Sequence, residues 1–327
     1  MNIKKEISEI ENMQLVLDGK KPAWLPSFSD ACAFAGHNFL GNARYGKAGG
    51  VKKDIFGVEF TQTIDGPIPL NTHTRNFELK DITKWREVMP DIDLNSIDWE
   101  EEARAIRETK VKEGQMINFN AGFVWEEMHY LMGYEEALAS LLVEPEASFE
   151  FLNAVADFWI DALRRVYKYL KPEIVMFMEH TATEKGTLMS PDTYREIIKP
   201  VHKKMFDAIT ELGALPEMHC DGFVEDLIPD WVEIGVKAIQ PFQAFNDINK
   251  FKEEYGLIAV GGWDAFGPGN QENTTEEEAR ESVRLAMDSF APGYRYVFWE
   301  SGVTPRYLQT KEYIQDEARI YGAQFYK

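Results

Sequence analysis

The stretch EIVMFMEHTATEKGTLMSPDTYREIIKPVHKKMFDAITELGALPEMHCDG, residues 173–222, sets two short apolar runs on either side of one long amphipathic segment. EIVMFMEH and ALPEMHCDG each read as a strand ending in polar residues. Between them, SPDTYREIIKPVHKKMFDAITELG reads as a helix, with Ser190 as N-cap, Pro191 in the first turn and Gly213 as the stop. Strand, helix, strand is the unit of a parallel sheet, because the crossover lets the second strand run in the direction of the first.

The unit repeats on both sides. Upstream, ARAIRETKVKEG reads as a helix, QMINFNAGF as a strand and EPEASFEFLNAVADFWIDALRRVYKYL as a long helix. Downstream, VEDLIPDWVEIG closes the quoted unit. KAIQPFQ then pairs with DINKFKEEYG, LIAVGGWDA with TTEEEARESVRLAMDSF, and YRYVFWESG with TKEYIQDEARIYGAQF. Such alternation calls for a parallel sheet covered by helices. No G-x-G-x-x-G or G-x-x-x-x-G-K-[ST] follows a strand, so the nucleotide signature of the open sheet is missing. The pattern predicts an α/β fold of the (β/α)8 TIM-barrel type, one domain over 1–327, regular from residue 104. Residues 1–103 form an N-terminal extension and the first elements, where Pro and Gly in KKPAWLP, GKAGGVKKDIFGVEF and DGPIPLN are too dense for a regular repeat.

The chain has 327 residues, 44% of them hydrophobic, enough for a large core. Lys plus Arg number 35 against 55 Asp plus Glu, a formal charge of −20, which repels a phosphate backbone and argues against nucleic-acid binding. No apolar run approaches the roughly 18 residues that cross a bilayer, and MNIKKEISEIENMQ has no signal-peptide core. A cytoplasmic protein away from membranes is expected. Cys32 and Cys220 are far apart in sequence and read as thiols.

In a parallel barrel the active site lies at the C-terminal strand ends. Those ends carry Asn118 and Asn120, Glu179 and His180, His219 and Asp221, Gln240 and Gln243, Trp263 and Asp264, and Trp299 and Glu300. Any one polar residue there needs no explanation beyond meeting water; the set forms a mouth of acids, two histidines and two tryptophans. Side chains alternate along a strand, so His219 and Asp221 share a face while Cys220 points away and packs as a small apolar group. His219 and Asp221, with carboxylates Glu179 and Glu300 brought from other strands, could hold Zn²⁺, and equally Fe²⁺ or Mn²⁺. Asp221 could also simply cap the helix that follows.

Three segments resemble the uroporphyrinogen decarboxylase superfamily, which includes corrinoid-linked methyltransferases. They are EKGTLMSPDTYREIIKPVHKKMFDAITELGALPEMHCDGFVEDLIPDWVEIGVKAIQPFQ (184–243), LKDITKWREVMPDID (79–93) and NAGFVWEEMHYLMGYEEALASLLVEPEASFEFLNAVADF (120–158). The likeness runs from about residue 20 to the end and implies one (β/α)8 barrel with an N-terminal extension. The decarboxylases' substrate-gripping arginines have no counterpart in FSDACAFAGHNF (28–39), and their pyrrole-binding aspartate segment is replaced around ARYGKAGGVKKDIF (43–56). Against the zinc methyltransferases, which carry His-x-Cys and a later Cys, His219 falls on the histidine, Asp221 on the first cysteine and Ser301 on the second, with Glu300 beside it.

A His and carboxylate set leaves a metal more electrophilic than thiolates would, suited to polarising an ether oxygen. The resemblance therefore implies the methyltransferase component of a corrinoid-dependent O-demethylase. It would move the methyl group of an aryl methyl ether, of vanillate, veratrole or guaiacol type, to Co(I) of a separate corrinoid protein that carries the cobalamin. The expected metal, zinc, falls to His219, Asp221 and Glu300. Glu179, His180 and Asp221 are the expected catalytic groups, and Phe123, Trp125, Asn120, Gln240, Trp263 and Trp299 the substrate contacts. A methylcobalamin:thiol methyltransferase, a decarboxylase and a non-catalytic binding barrel are the competing readings. The sequence leaves room for a homo-oligomer without requiring one.

Overall fold

A computed structural model describes residues 7–39, 49–63, 66–303 and 308–326. Of the stretch 43–56, residues 43–48 lie outside the described residues. Seven parallel strands form the main sheet among the described residues: β1 (Cys32–Gly36), β2 (Met116–Asn120), β3 (Ile174–Met178), β4 (Leu215–His219), β5 (Ala238–Phe242), β6 (Ile258–Gly262) and β7 (Tyr296–Trp299). They are neighbours in chain order, each joined to the next by a crossover connection. β1 arises inside the region read as too turn-rich for regular elements.

The first residues of six strands, Cys32, Met116, Ile174, Leu215, Ala238 and Ile258, gather in one apolar cluster with Val260 and Val297. Strand starts from both edges of a sheet can meet only if the sheet is curled, with this cluster as its inner floor. Met13, Val16 and Leu17 of the N-terminal helix α1 (Glu9–Leu17) plug it from below. Ser8 and Glu11 close a capping box at the start of that helix. The alternate strand residues, among them Ile117, Phe119, Val175, Phe177, Met218 and Ala259, belong to the separate outer core under the helices. Beyond β7 the sheet continues as one parallel bridge, Ser27 to Phe298, with the Phe298 amide donating to the Pro26 carbonyl. The sheet is thus curled into a partial barrel; an eighth full strand is absent among the described residues, where the short segment before the Phe28–Ala31 turn of helix stands instead.

The covering helices include α2 (Trp99–Lys110), α3 (Trp125–Met132), α4 (Tyr134–Val143), α5 (Pro145–Leu170), α6 (Lys199–Leu212), α7 (Ile228–Glu233), α8 (Ile248–Tyr255), α9 (Glu276–Phe290) and α10 (Leu308–Gly322). Between Met132 and Tyr134, Gly133 at φ 84° ends one helix and begins the next, and a Cβ there would lie 2.6 Å from Phe77. The helix expected over 190–213 forms, with a widened π turn at Tyr194–Ile198. Pro200 has no N–H for the regular ladder, and the wide turn directly before it accommodates the missing bond. A small antiparallel sheet, Val51–Lys53, Glu59–Thr63 and Gly66–Pro69, lies in the extension. Among the described residues no helix is long and apolar enough to cross a membrane.

Directly after Asp221, Gly222 takes φ 114°, and a Cβ there would sit 2.7 Å from the Thr183 carbonyl oxygen. Gly222→Ala therefore combines backbone strain with a backbone clash and should cost about 2 kcal/mol or more. The expected result is a lower denaturant midpoint than wild type, measured by circular dichroism; an unchanged midpoint would show that the turn relaxes freely.

Candidate active site

Because the floor residues are first in their strands, the third and fifth residues point into the same interior. The middle layer contains Asn118 and Glu217, and the layer above it Asn120 and His219. Asn118 Nδ2 donates to Glu217 Oε1 at 2.5 Å, both residues being buried. Burial pushes the Glu217 carboxyl up to about 7, against a smaller downward pull from Asn118.

At the mouth His180, just past β3, meets His219 at the end of β4 and Asp221 two residues beyond. Asp221 Oδ2 lies 3.1 Å from His180 Nε2 and 3.7 Å from His219 Nε2. These three ligand atoms all fall within 4.8 Å of one another. The two imidazoles stand edge to face, centroids 5.5 Å apart. Each is held from behind through Nδ1. His219 Nδ1 is 3.2 Å from Gln240 Oε1 across the β4–β5 register, and His180 Nδ1 is 2.6 Å from Glu126 Oε1. That same Glu126 oxygen accepts the His180 backbone amide at 2.5 Å.

Burial alone would lower the His180 pKa, but hydrogen bonds to Asp221 and Glu126 outweigh it and lift the imidazolium to about 10. Desolvation would raise Asp221, yet the His180 hydrogen bond, with the His219 ring close by, holds its carboxyl well below the usual range. Glu126 is likewise lowered on balance, with burial opposing and His180 prevailing.

Glu179 is fully buried behind the mouth, where its carboxylate accepts from the Val124 and Trp125 amides at the start of α3. His202 Nε2 is 3.5 Å from Glu179 Oε2. Burial first and the charge of Glu126 second raise the Glu179 carboxyl well above normal. Glu300 does not join the His180, His219, Asp221 group: Oε1 accepts from Ser29 Oγ and Gln315 Nε2, each at 2.7 Å. Gln240 is fully buried and spends its oxygen on His219. Asn120 accepts the Gly122 amide, shaping the turn after β2. Trp125 is fully buried, and Trp263 is buried with Nε1 donating to Ser282. Phe123 and Trp299 are half-buried, Trp299 against Phe28 at 5.0 Å. Trp263, Trp299 and Ser301 line a small hollow at the rim. Cys220 is buried, its thiol pushed up to about 12 chiefly by burial.

Glu126 was not among the expected residues. Its sequence signal is weak but present: two acids interrupt the apolar stretch AGFVWEEMHYLMG, and acids that fold into a core need partners.

Residues 56–298 match the family described as Uroporphyrinogen decarboxylase (URO-D). The chain belongs to this family. No curated protein matches it. Among solved structures, a methyltransferase from Methanosarcina mazei superposes with a TM-score of 0.66 at 12% identity, over 97% of this chain and 99% of that one. A B12-independent methionine synthase from Shewanella sp. W3-18-1 is also similar, with a TM-score of 0.48 at 13% identity over 73% of this chain and 69% of that one. At that identity the likeness to the Methanosarcina mazei protein speaks for the fold alone.

The native state keeps the His180 proton above its ordinary value of 6.5, so the stabilisation from its two carboxylates is complete below that pH and is lost as pH rises through about 10. In chelator-treated protein the denaturant midpoint should fall across that window. His180→Ala should flatten the fall, and equal slopes in wild type and variant would contradict the pairing.

Proposed function

We propose that this chain is a methyltransferase whose barrel mouth binds a divalent cation through His180 Nε2, His219 Nε2 and Asp221 Oδ2. The observation supporting this reading is the convergence of the three atoms. Ligands of a tetrahedral ion with bonds of about 2.1 Å stand about 3.4 Å apart, and Asp221 Oδ2 lies 3.1 and 3.7 Å from the two nitrogens. The residues therefore fit a metal. Two histidines and one carboxylate with an open side suit catalytic zinc, and also ferrous iron. Such an ion supplies Lewis-acid chemistry, drawing off charge that develops on a leaving oxygen.

The methyl donor in this reading is an aryl methyl ether of vanillate, veratrole or guaiacol type, and the acceptor is Co(I) on a separate corrinoid protein. Co(I) provides the electron pair of the new carbon–cobalt bond. The pair of the broken carbon–oxygen bond leaves on the phenolate, which is then protonated. The Methanosarcina mazei neighbour is described as a methyltransferase, in keeping with this class. Asp221 and Ser301 stand where thiol-activating relatives carry cysteine, which disfavours a thiol acceptor. The Asp221 side chain is 48% exposed and that of His219 9%, so substrate would approach from the Asp221 side, with half-buried Phe123 and Trp299 as aromatic surface. We take the seven strands and the Ser27 bridge as one domain on the (β/α)8 plan, acting in the cytoplasm.

A second reading is favoured by one observation: His180 lies between the Glu126 and Asp221 carboxylates, which favour its protonated form, so it would itself serve as a proton donor at the mouth. Without an ion it would protonate the leaving oxygen directly.

Metal content and turnover separate these outcomes. The purified protein should hold about one equivalent of divalent metal, and His219→Ala should lose it along with a hundredfold or more of activity. Incubation with a guaiacol-type ether and a reduced corrinoid protein should produce the methylcobalamin spectrum. No spectrum with any methoxyarene overturns the demethylase reading; full activity in chelator overturns the metal while leaving proton donation by His180.

A further inference from the structure

We infer that Glu126 and Gln240 are positioning residues, which fix the two histidine rings so that both Nε2 atoms face Asp221. The inference rests on the metal reading above for its purpose, but on hydrogen bonds for its geometry. His180 follows the end of β3, and with its side chain 32% exposed a specific contact must set the ring. One atom does: Glu126 Oε1 holds the backbone amide at 2.5 Å and ring Nδ1 at 2.6 Å. Gripping both ends of the torsions between main chain and imidazole leaves Nε2 one direction, toward Asp221.

Glu126 can do this because α3 is itself pinned. Its first amides, those of Val124 and Trp125, donate to Glu179, the residue immediately before His180. Strand end and helix start thus exchange carboxylates: Glu179 reaches into the helix terminus, and Glu126 reaches back to the strand end. Glu126 is 1% exposed, so its position is set by the core and not by solvent.

His219 is held by a different chemistry. Gln240, fully buried and its register partner on β5, presents a neutral amide oxygen to Nδ1. That contact selects the tautomer with the proton on Nδ1, leaving the Nε2 lone pair for the site. A carboxylate behind one ligand histidine and an amide behind the other make the pair unequal, since a carboxylate partner strengthens imidazole as a donor. His180 is accordingly the stronger ligand and the one more sensitive to its support.

Two measurements on the full chain test this. In the first, Co²⁺ titration of wild type, Glu126→Gln and Glu126→Ala follows affinity and the visible absorption of the bound ion. Glu126→Gln keeps the shape and an acceptor oxygen and should bind about tenfold more weakly, Glu126→Ala about a hundredfold, with a changed spectrum. Adding His180→Ala to Glu126→Ala should cost little more, because both remove the same ligand. Folded variants with wild-type affinity and spectrum would overturn the positioning role.

In the second, ring nitrogen and proton NMR of metal-free protein reads the rings directly. The His180 Nδ1 proton held by Glu126 should vanish in Glu126→Ala, and Gln240→Leu should turn the His219 signals into a mixture of tautomers. Unchanged ring signals would also defeat the inference. A wild type that binds no Co²⁺ yet shows these NMR changes would overturn the metal reading and leave the positioning intact.

Discussion

A carboxylate removed from water must find hydrogen-bond donors or give up its charge, and the mouth of this barrel is arranged around two that do so together. Glu179 and Glu126 are both buried, and each finds its donors on the element that carries the other. Glu179 lies at the helix N-terminus, where the unsatisfied amides offset part of the push toward the neutral form that burial and the Glu126 charge exert. Glu126 lies against an imidazole and an amide at the end of β3. Sliding α3 along the strand end would unpair both acids at once, at a cost of several kcal/mol. The position of His180 is therefore tied to the stability of the fold, although the residue itself sits in a loop.

Below the mouth the interior changes character layer by layer. The floor of Cys32, Met116, Ile174, Ala238 and Ile258 is apolar and sealed by α1. The next layer holds the Asn118 and Glu217 pair, whose acid burial pushes toward the neutral form. Burial there favours the protonated acid over another buried anion beneath the mouth. The cluster thus rests on a polar but weakly charged shelf, and its charged groups are confined to the rim, where Asp221 still meets water.

Period-two alternation made part of this legible in the sequence. It separated His219 and Asp221 from Cys220, and the structure puts His219 inside and buries Cys220 in the outer core. The regular repeat after residue 104 was legible for the same reason, since each strand and helix carries its own local period. β1 was hidden because five residues between turns hold too little pattern to stand out. Partnerships between elements were hidden more deeply. Whether Glu300 or His180 would reach Asp221 depends on strand order, shear and the turn taken after each strand, none of which a local pattern contains. Glu126 is the extreme case, because its role exists only once α3 is docked on the end of β3.

The same geometry bears on which cation the cluster prefers. Glu126 and Asp221 are two carboxylates facing one imidazolium, so with a proton on His180 one negative charge is left over at the mouth. In the metal reading a divalent ion taking the place of that proton would balance both carboxylates, with His180 Nε2 among the atoms that would hold it. The proton and the proposed metal would then be alternatives for one position, defined by Asp221 Oδ2 and the two Nε2 atoms. The acid and metal readings of the site differ in its occupant, and the ring orientation imposed by Glu126 and Gln240 serves both.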